Sequence, residues 1–160
     1  MDIQEDLVNG KYKPLPVKRV YIPNWYVVDA DIQVYFDNIN HEILLSLLKR
    51  RISDRRILKL CRLWLQAGVI ENGKYSKTEI GSPQGGVISP LLANIYLHVL
   101  DSYWTNQDGL GEIVRYVDDA VIICRAKKDA DLAYNHLKHV MGKLKLTLNP
   151  KKTKIVKYIA

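Results

Sequence analysis

The chain has 160 residues, 48% of them hydrophobic and 26% charged, which suits one domain with a sizeable core and excludes both disorder and two independent domains. Its 24 Lys and Arg against 17 Asp and Glu leave a net charge of +7, a balance that attracts a polyanion such as RNA or DNA without specifying a site. No apolar run approaches the ~18–20 residues that span a bilayer, and the acidic start from Met1 to Asp6 is unlike a signal peptide. A cytoplasmic protein without a membrane partner is therefore expected.

Residues 1–24 mix charges with Pro14, Pro16 and Pro23, which oppose helix and push their neighbours toward extended backbone, so this stretch reads as a loosely attached arm. From Trp25 the composition changes, and Tyr26 to Ile32 predicts a β-branched and aromatic strand that ends in polar residues. Asn38 or Asn40 caps a helix carrying Ile43, Leu44, Leu47 and Leu48, closed by Lys49, Arg50 and Arg51. Ser53 is the expected cap of a second helix running through Trp64 and Leu65 to a stop at Gly68. Asn72-Gly73 then favours a hairpin between Val69-Ile70 and the stretch from Lys74 to Ile80. Ser89 and Pro90 read as a cap and a first-turn proline opening a long, mostly buried helix through Leu100. Ile113 to Tyr116 and Asp119 to Cys124 predict two strands meeting at a tight turn, Lys127 to Leu144 a helix, and Lys154 to Tyr158 a final strand. This order suits an α+β fold, an antiparallel sheet backed by helices.

Cys61 and Cys124 stand far apart in apolar stretches and read as buried thiols in a reducing compartment. His136 and His139 share a helix face with no nearby Cys, which points to solvated helix residues rather than zinc ligands.

Asp118 and Asp119 fall at the turn between two apolar strands. One Asp there is an ordinary turn residue, but two adjacent carboxylates repel each other, and a divalent cation removes that repulsion. Asp31 ends the other apolar strand, and if the strands are neighbours three acidic side chains converge. Hard oxygen donors of this kind suit Mg²⁺, which keeps several waters and is completed by substrate phosphates. Two such ions ~3.5–4 Å apart clamp the attacking and leaving oxygens of a phosphoryl transfer.

Four blocks carry a family resemblance in one order along the chain. Val28 to His41, Gly81-Ser82-Pro83-Gln84-Gly85-Gly86 through Leu97, Arg115-Tyr116-Val117-Asp118-Asp119, and Leu146-Thr147-Leu148-Asn149-Pro150-Lys151-Lys152-Thr153-Lys154 resemble the catalytic blocks of group II intron reverse transcriptases. The resemblance implies a polymerase palm over residues 25–160 behind a remnant fingers arm at 1–24. It implies Asp31 and Asp118 as main ligands of Mg²⁺ or Mn²⁺, with Asp119 assisting and the Ile32 carbonyl as a further ligand. Phe36 matches the aromatic gate against a ribonucleotide 2′-hydroxyl, Gln84 and Gly85 match positions against the incoming nucleotide or template, and Lys152 matches a residue that meets the triphosphate or supplies a proton. The implied partners are an RNA template, a DNA primer, deoxynucleoside triphosphates and intron RNA.

The sequence departs from the family in two ways. The stretch from Leu7 to Pro23 resembles an early fingers motif but runs directly into the first catalytic block, and Val34 stands where many relatives have glycine. Without a large part of the fingers and the parts that follow the palm, weak or absent activity of the chain alone is expected, with apolar surface left for self-association. A non-catalytic RNA-binding remnant and a subunit completed by another chain are the competing readings.

Overall fold

The structure, a computed structural model, describes residues 25–71, 74–76, 80–82 and 86–158. The arm at 1–24, the Asn72-Gly73 turn and the loop positions Gln84 and Gly85 lie outside the described residues. In chain order come β1 (Trp25–Ala30), a 3-10 turn (Phe36–Asn38), α1 (His41–Lys49), α2 (Arg55–Gln66), β2 (Val69–Glu71), β3 (Lys74–Ser76), α3 (Ser89–Thr105), β4 (Glu112–Tyr116), β5 (Asp119–Cys124), α4 (Lys127–Lys143) and β6 (Lys154–Tyr158). The fold is α+β, in the element order that the sequence predicts.

Four strands form one antiparallel sheet in the order β4-β5-β1-β6, while β2 and β3 pair as a separate hairpin. Side chains alternate across each strand. Val28, Ala30, Ala120, Ile122 and Cys124 are buried on the face against which α4 packs, with α3 beside α4. The opposite face carries Trp25, Val27, Val114, Tyr116, Val121, Val156 and Tyr158, of which Val114, Tyr116 and Tyr158 are exposed.

The helix ends have identifiable causes. Asn40 Oδ1 accepts from Ile43 N at 3.1 Å and caps α1, whereas Asn38 turns back and donates to the Gln33 and Val34 carbonyls. The cap of α2 is Asp54, through Arg56 N at 2.8 Å, not Ser53; the carboxylate one residue nearer the helix makes the bond. Likewise Ile88 occupies the cap position of α3 and Ser89 is its first helical residue, its hydroxyl accepting from Ser82 Oγ at 2.8 Å. At the end of α4, Leu146 N bonds Met141 O and Lys145 N bonds Gly142 O with Lys145 at φ +54°, a Schellman closure that uses a non-glycine residue.

Both cysteines are buried and free, and burial pushes the Cys124 thiol up to about 11. His136 is tied into the structure rather than merely solvated: its Nδ1 lies 2.5 Å from Tyr103 Oη, a hydrogen bond joining α4 to α3. Among the described residues no helix is long and apolar enough to cross a membrane.

Val34 has φ +45° and is exposed, so the departure from glycine at this position is a matter of backbone rather than of packing. A β-branched residue is disfavoured in the left-handed region by about 1–2 kcal/mol, part of which glycine returns through its freer unfolded chain. Val34→Gly should raise stability by about 0.5–1 kcal/mol in urea denaturation; a decrease would show that the turn gains from its side chain. Gly81 is the converse case, at φ +91° with any Cβ only 2.8 Å from the Asp37 backbone.

Candidate active site

Ala30 pairs with Ala120 across β1 and β5, and this register continued by one residue sets Asp31 opposite Asp119. Both fall on the open face of the sheet, since Asp29 and Val121 are the preceding pair on that face. Tyr116 pairs with Asp119, leaving Val117 and Asp118 as a two-residue loop. Val117 has φ +55° and Asp118 does not have a positive φ, the sign pattern of a type II′ turn, whose first central position is ordinarily glycine.

Asp31 is fastened by the segment before β6. Its carbonyl accepts from Asn149 N at 2.8 Å and from Thr153 Oγ1 at 3.3 Å, and its own N–H donates to that hydroxyl at 3.3 Å. Asn149 Oδ1 in turn accepts from Lys151 N, and Asn149 O from Thr153 N, a local side-chain turn of the kind Asn forms. Ile32 is buried and bridges Leu148. The bonds flanking that bridge, Asn149 N to Asp31 O and Gln33 N to Thr147 O, use the neighbouring peptides and not the Ile32 carbonyl.

The electrostatics follow from the placement. Partial burial, then the like charges of Asp119 and Asp31, push the Asp118 carboxyl above the usual carboxylate range, against the pull of its own backbone N–H and of Lys152. Lys152 Nζ lies 3.0 Å from Asp31 Oδ2, and that bond raises the ammonium's proton affinity. A cation is thus already favoured at this cluster, and its donors are all hard oxygens, so the residues fit Mg²⁺ or Mn²⁺. Among the described residues no group of three Asp, Glu, His or Cys side chains is placed to hold a metal ion, so the expected convergence of three carboxylates gives at most an incomplete donor set.

Phe36 is half-buried against Tyr35, ring centroids 5.4 Å apart. Its carbonyl accepts from Ser82 N at 2.7 Å, while Gly81 N bonds Ile39 O and the Gly81 carbonyl lies 2.6 Å from His41 Nε2. The stem of the loop bearing Gln84 and Gly85 is therefore fixed on the Phe36 turn. Behind it, Tyr35 Oη donates to Ala93 O and Tyr96 Oη to Leu144 O. Burial pushes the Tyr96 hydroxyl up to about 12, and Tyr35 higher still. Both stay neutral donors at physiological pH.

Sequence reasoning gave no role to Asn149, Thr153 or Arg115. The Asn149-Pro150 pair carried a turn signal; the partners of Arg115, Asp101 and Asn94 on α3, follow no sequence spacing.

A palm-like sheet with carboxylates at the ends of its two central strands defines a polymerase-class protein, and residues 17–159 match the family described as Reverse transcriptase (RNA-dependent DNA polymerase). The chain belongs to that family. Within it the chain resembles the group II intron-encoded protein LtrA of Lactococcus lactis subsp. cremoris, 46% identical over 54% of this chain and 14% of LtrA. Protein YkfC of Escherichia coli strain K12 is 35% identical over 81% of this chain and 43% of YkfC. The chain thus spans about a seventh of LtrA and under half of YkfC. Apo telomerase from Candida tropicalis, truncated from its C-terminal domain, shares the fold, with a TM-score of 0.68 and 18% identity over 99% of this chain and 34% of that one.

The raised Asp118 pKa has a consequence for stability without added cation. A carboxyl whose folded pKa lies above its unfolded one gives stability that is full in acid and declines as pH rises through the folded value. Asp118→Asn should therefore stabilise the metal-free protein near neutral pH, by a fraction of a kcal/mol after solvent screening, and confer nothing at acid pH. Denaturant titrations at both pH values read the difference, and equal gains at both would remove ionisation as the cause.

Proposed function

We propose that residues 25–160 are the palm of a group II intron-type reverse transcriptase and that Asp31, Asp118 and Asp119 are its catalytic and metal-holding residues, with the Ile32 carbonyl as an auxiliary ligand. The observation that carries this reading is the register that pairs Ala30 with Ala120, which brings Asp31, the next residue along, to the side of Asp119 and of Asp118 in the adjoining turn. Divalent ions held there would stabilise the charge on the attacking and leaving oxygens during nucleotidyl transfer. The incomplete protein donor set suits a site that takes remaining oxygens from a nucleoside triphosphate. Phe36 would stack beside the incoming sugar, where its ring leaves no room for a 2′-hydroxyl. The loop stem fixed on Phe36 would carry Gln84 and Gly85 to the nascent base pair.

Lys152 would meet the triphosphate once it leaves Asp31. A further part of the reading is that the 160-residue chain by itself extends primers weakly or not at all, since the stretch from Leu7 to Pro23 runs directly into the first catalytic block. Exposed cations on α1 and α2 and between them, Lys49, Arg50, Arg51, Arg55, Arg56 and Lys59, supply surface for the phosphates of a template, primer or intron RNA. The competing reading, a subunit covered by a partner chain or a second copy, draws on the apolar open sheet face.

Primer extension on an RNA template with deoxynucleoside triphosphates and Mg²⁺ tests the site. Any extension should fall to background in Asp31→Ala and Asp118→Ala, while RNA affinity, measured across salt concentrations, should change little in either variant. Extension that persists in Asp118→Ala would remove the carboxylates from catalysis. Strong extension by the wild-type chain, lost in that variant, would keep the site and overturn the claim of weak activity.

A further inference from the structure

Arg115 lies on β4 with its side chain only 11% exposed, and its guanidinium is committed on every side. Nε donates to Asp101 Oδ1 at 2.8 Å and Nη2 to Asp101 Oδ2, a two-pronged pairing with α3. Nη1 donates to Asn94 Oδ1, also on α3, at 3.0 Å, and to the Val117 carbonyl at 2.6 Å. The last bond reaches the loop residue that holds the disfavoured φ of +55° beside Asp118. A β-branched residue persists in that region only where its surroundings over-determine it.

We propose that Arg115, held by Asp101 and Asn94, is a positioning residue that fixes the Val117-Asp118 turn and so sets where the Asp118 carboxylate points. The inference rests on the reading of Asp118 as a metal ligand, but its mechanical part does not. The planar fork is the reason arginine is needed: its N–H groups address a carboxylate with two parallel bonds while another edge still reaches Asn94 and Val117 O. An ammonium keeps the charge near Asp101, but its three donors on one atom cannot serve the four acceptor oxygens of Asp101, Asn94 and Val117. Arg115 touches no reacting atom. It acts through the turn, and the short path from α3 through the guanidinium to Val117 O couples the helix layer to the carboxylates.

Two readouts on the wild-type chain, Arg115→Lys, Asn94→Ala and Asp118→Asn test this. Amide hydrogen exchange followed by NMR should quicken at least ~10-fold for Val117 to Asp119 in Arg115→Lys, while Val28 and Ile122 in the core keep their protection. Asn94→Ala, which leaves the Asp101 pair intact, should shift the same amides less. Mn²⁺ affinity by electron paramagnetic resonance should fall about tenfold in Arg115→Lys, the scale seen when a partner that orients a ligand is lost, and further in Asp118→Asn. Turn amides that quicken only in step with the core would make Arg115 a fold anchor and overturn the inference. The same follows if Arg115→Lys binds Mn²⁺ as tightly as the wild type while Asp118→Asn does not. Unchanged Mn²⁺ binding in Asp118→Asn would instead overturn the metal-site reading, with the exchange data still deciding the role of Arg115.

Discussion

The antiparallel register between β1 and β5 is the constraint on which the rest depends. Val28 and Ile122 face each other fully buried against the helices, and the alternation of side chains then leaves no freedom for the residues beyond them. A slip of one residue would turn Val28 to solvent and Asp29 into the core, at a cost of several kcal/mol for a buried unpaired carboxylate. Two apolar side chains thereby place Asp31 beside Asp119. The core thus determines which carboxylates share a face.

Around that register the structure adds restraints at three points. Asn149 and Thr153 fasten Asp31 through its backbone, the Gly81-Ser82 stem is bonded to the Phe36 turn, and Arg115 braces the loop of Asp118 against α3. The first two are hydrogen bonds between segments far apart in sequence, and the third joins neighbouring elements through one side chain. Each also acts on backbone next to a candidate residue rather than on its side chain, which leaves the carboxylates and the Phe36 ring to meet substrate. Lys152 differs, since it bonds the Asp31 carboxylate directly. An incoming cation and this ammonium would therefore compete for one oxygen.

Positive φ at Val34 and Val117 puts strained backbone in both segments that carry candidate ligands and the candidate gate. Glycine would relieve the strain at either position, but a freer turn would also hold its neighbours less firmly. Of the two, Val34 is exposed, with Asn38 bonding its carbonyl, whereas Val117 is closed in by Arg115.

Much of the chain was legible without coordinates because its signals are local. The strand from Lys154 to Tyr158, the Asn40 cap and the stop at Gly68 each follow from a few adjacent residues whose backbone preferences agree, and the position of the Val117-Asp118 turn from the apolar runs on either side of it. Cap positions were misread by one residue at both Asp54 and Ile88: at the first, Ser53 and Asp54 are polar neighbours and only their three-dimensional reach decides, and at the second Ser89 is already helical and its hydroxyl is taken by Ser82. Tertiary structure alone determined that Asp31 lies across from Asp119, that Lys152 sits on Asp31 and that Arg115 joins Asp101, Asn94 and Val117. The physical reason is that propensity and pattern act within a few residues of chain, whereas pairings between different elements, from Arg115 with Asn94 21 residues away to Asp31 with Lys152 121 residues away, exist only once the shared core has fixed how those elements meet.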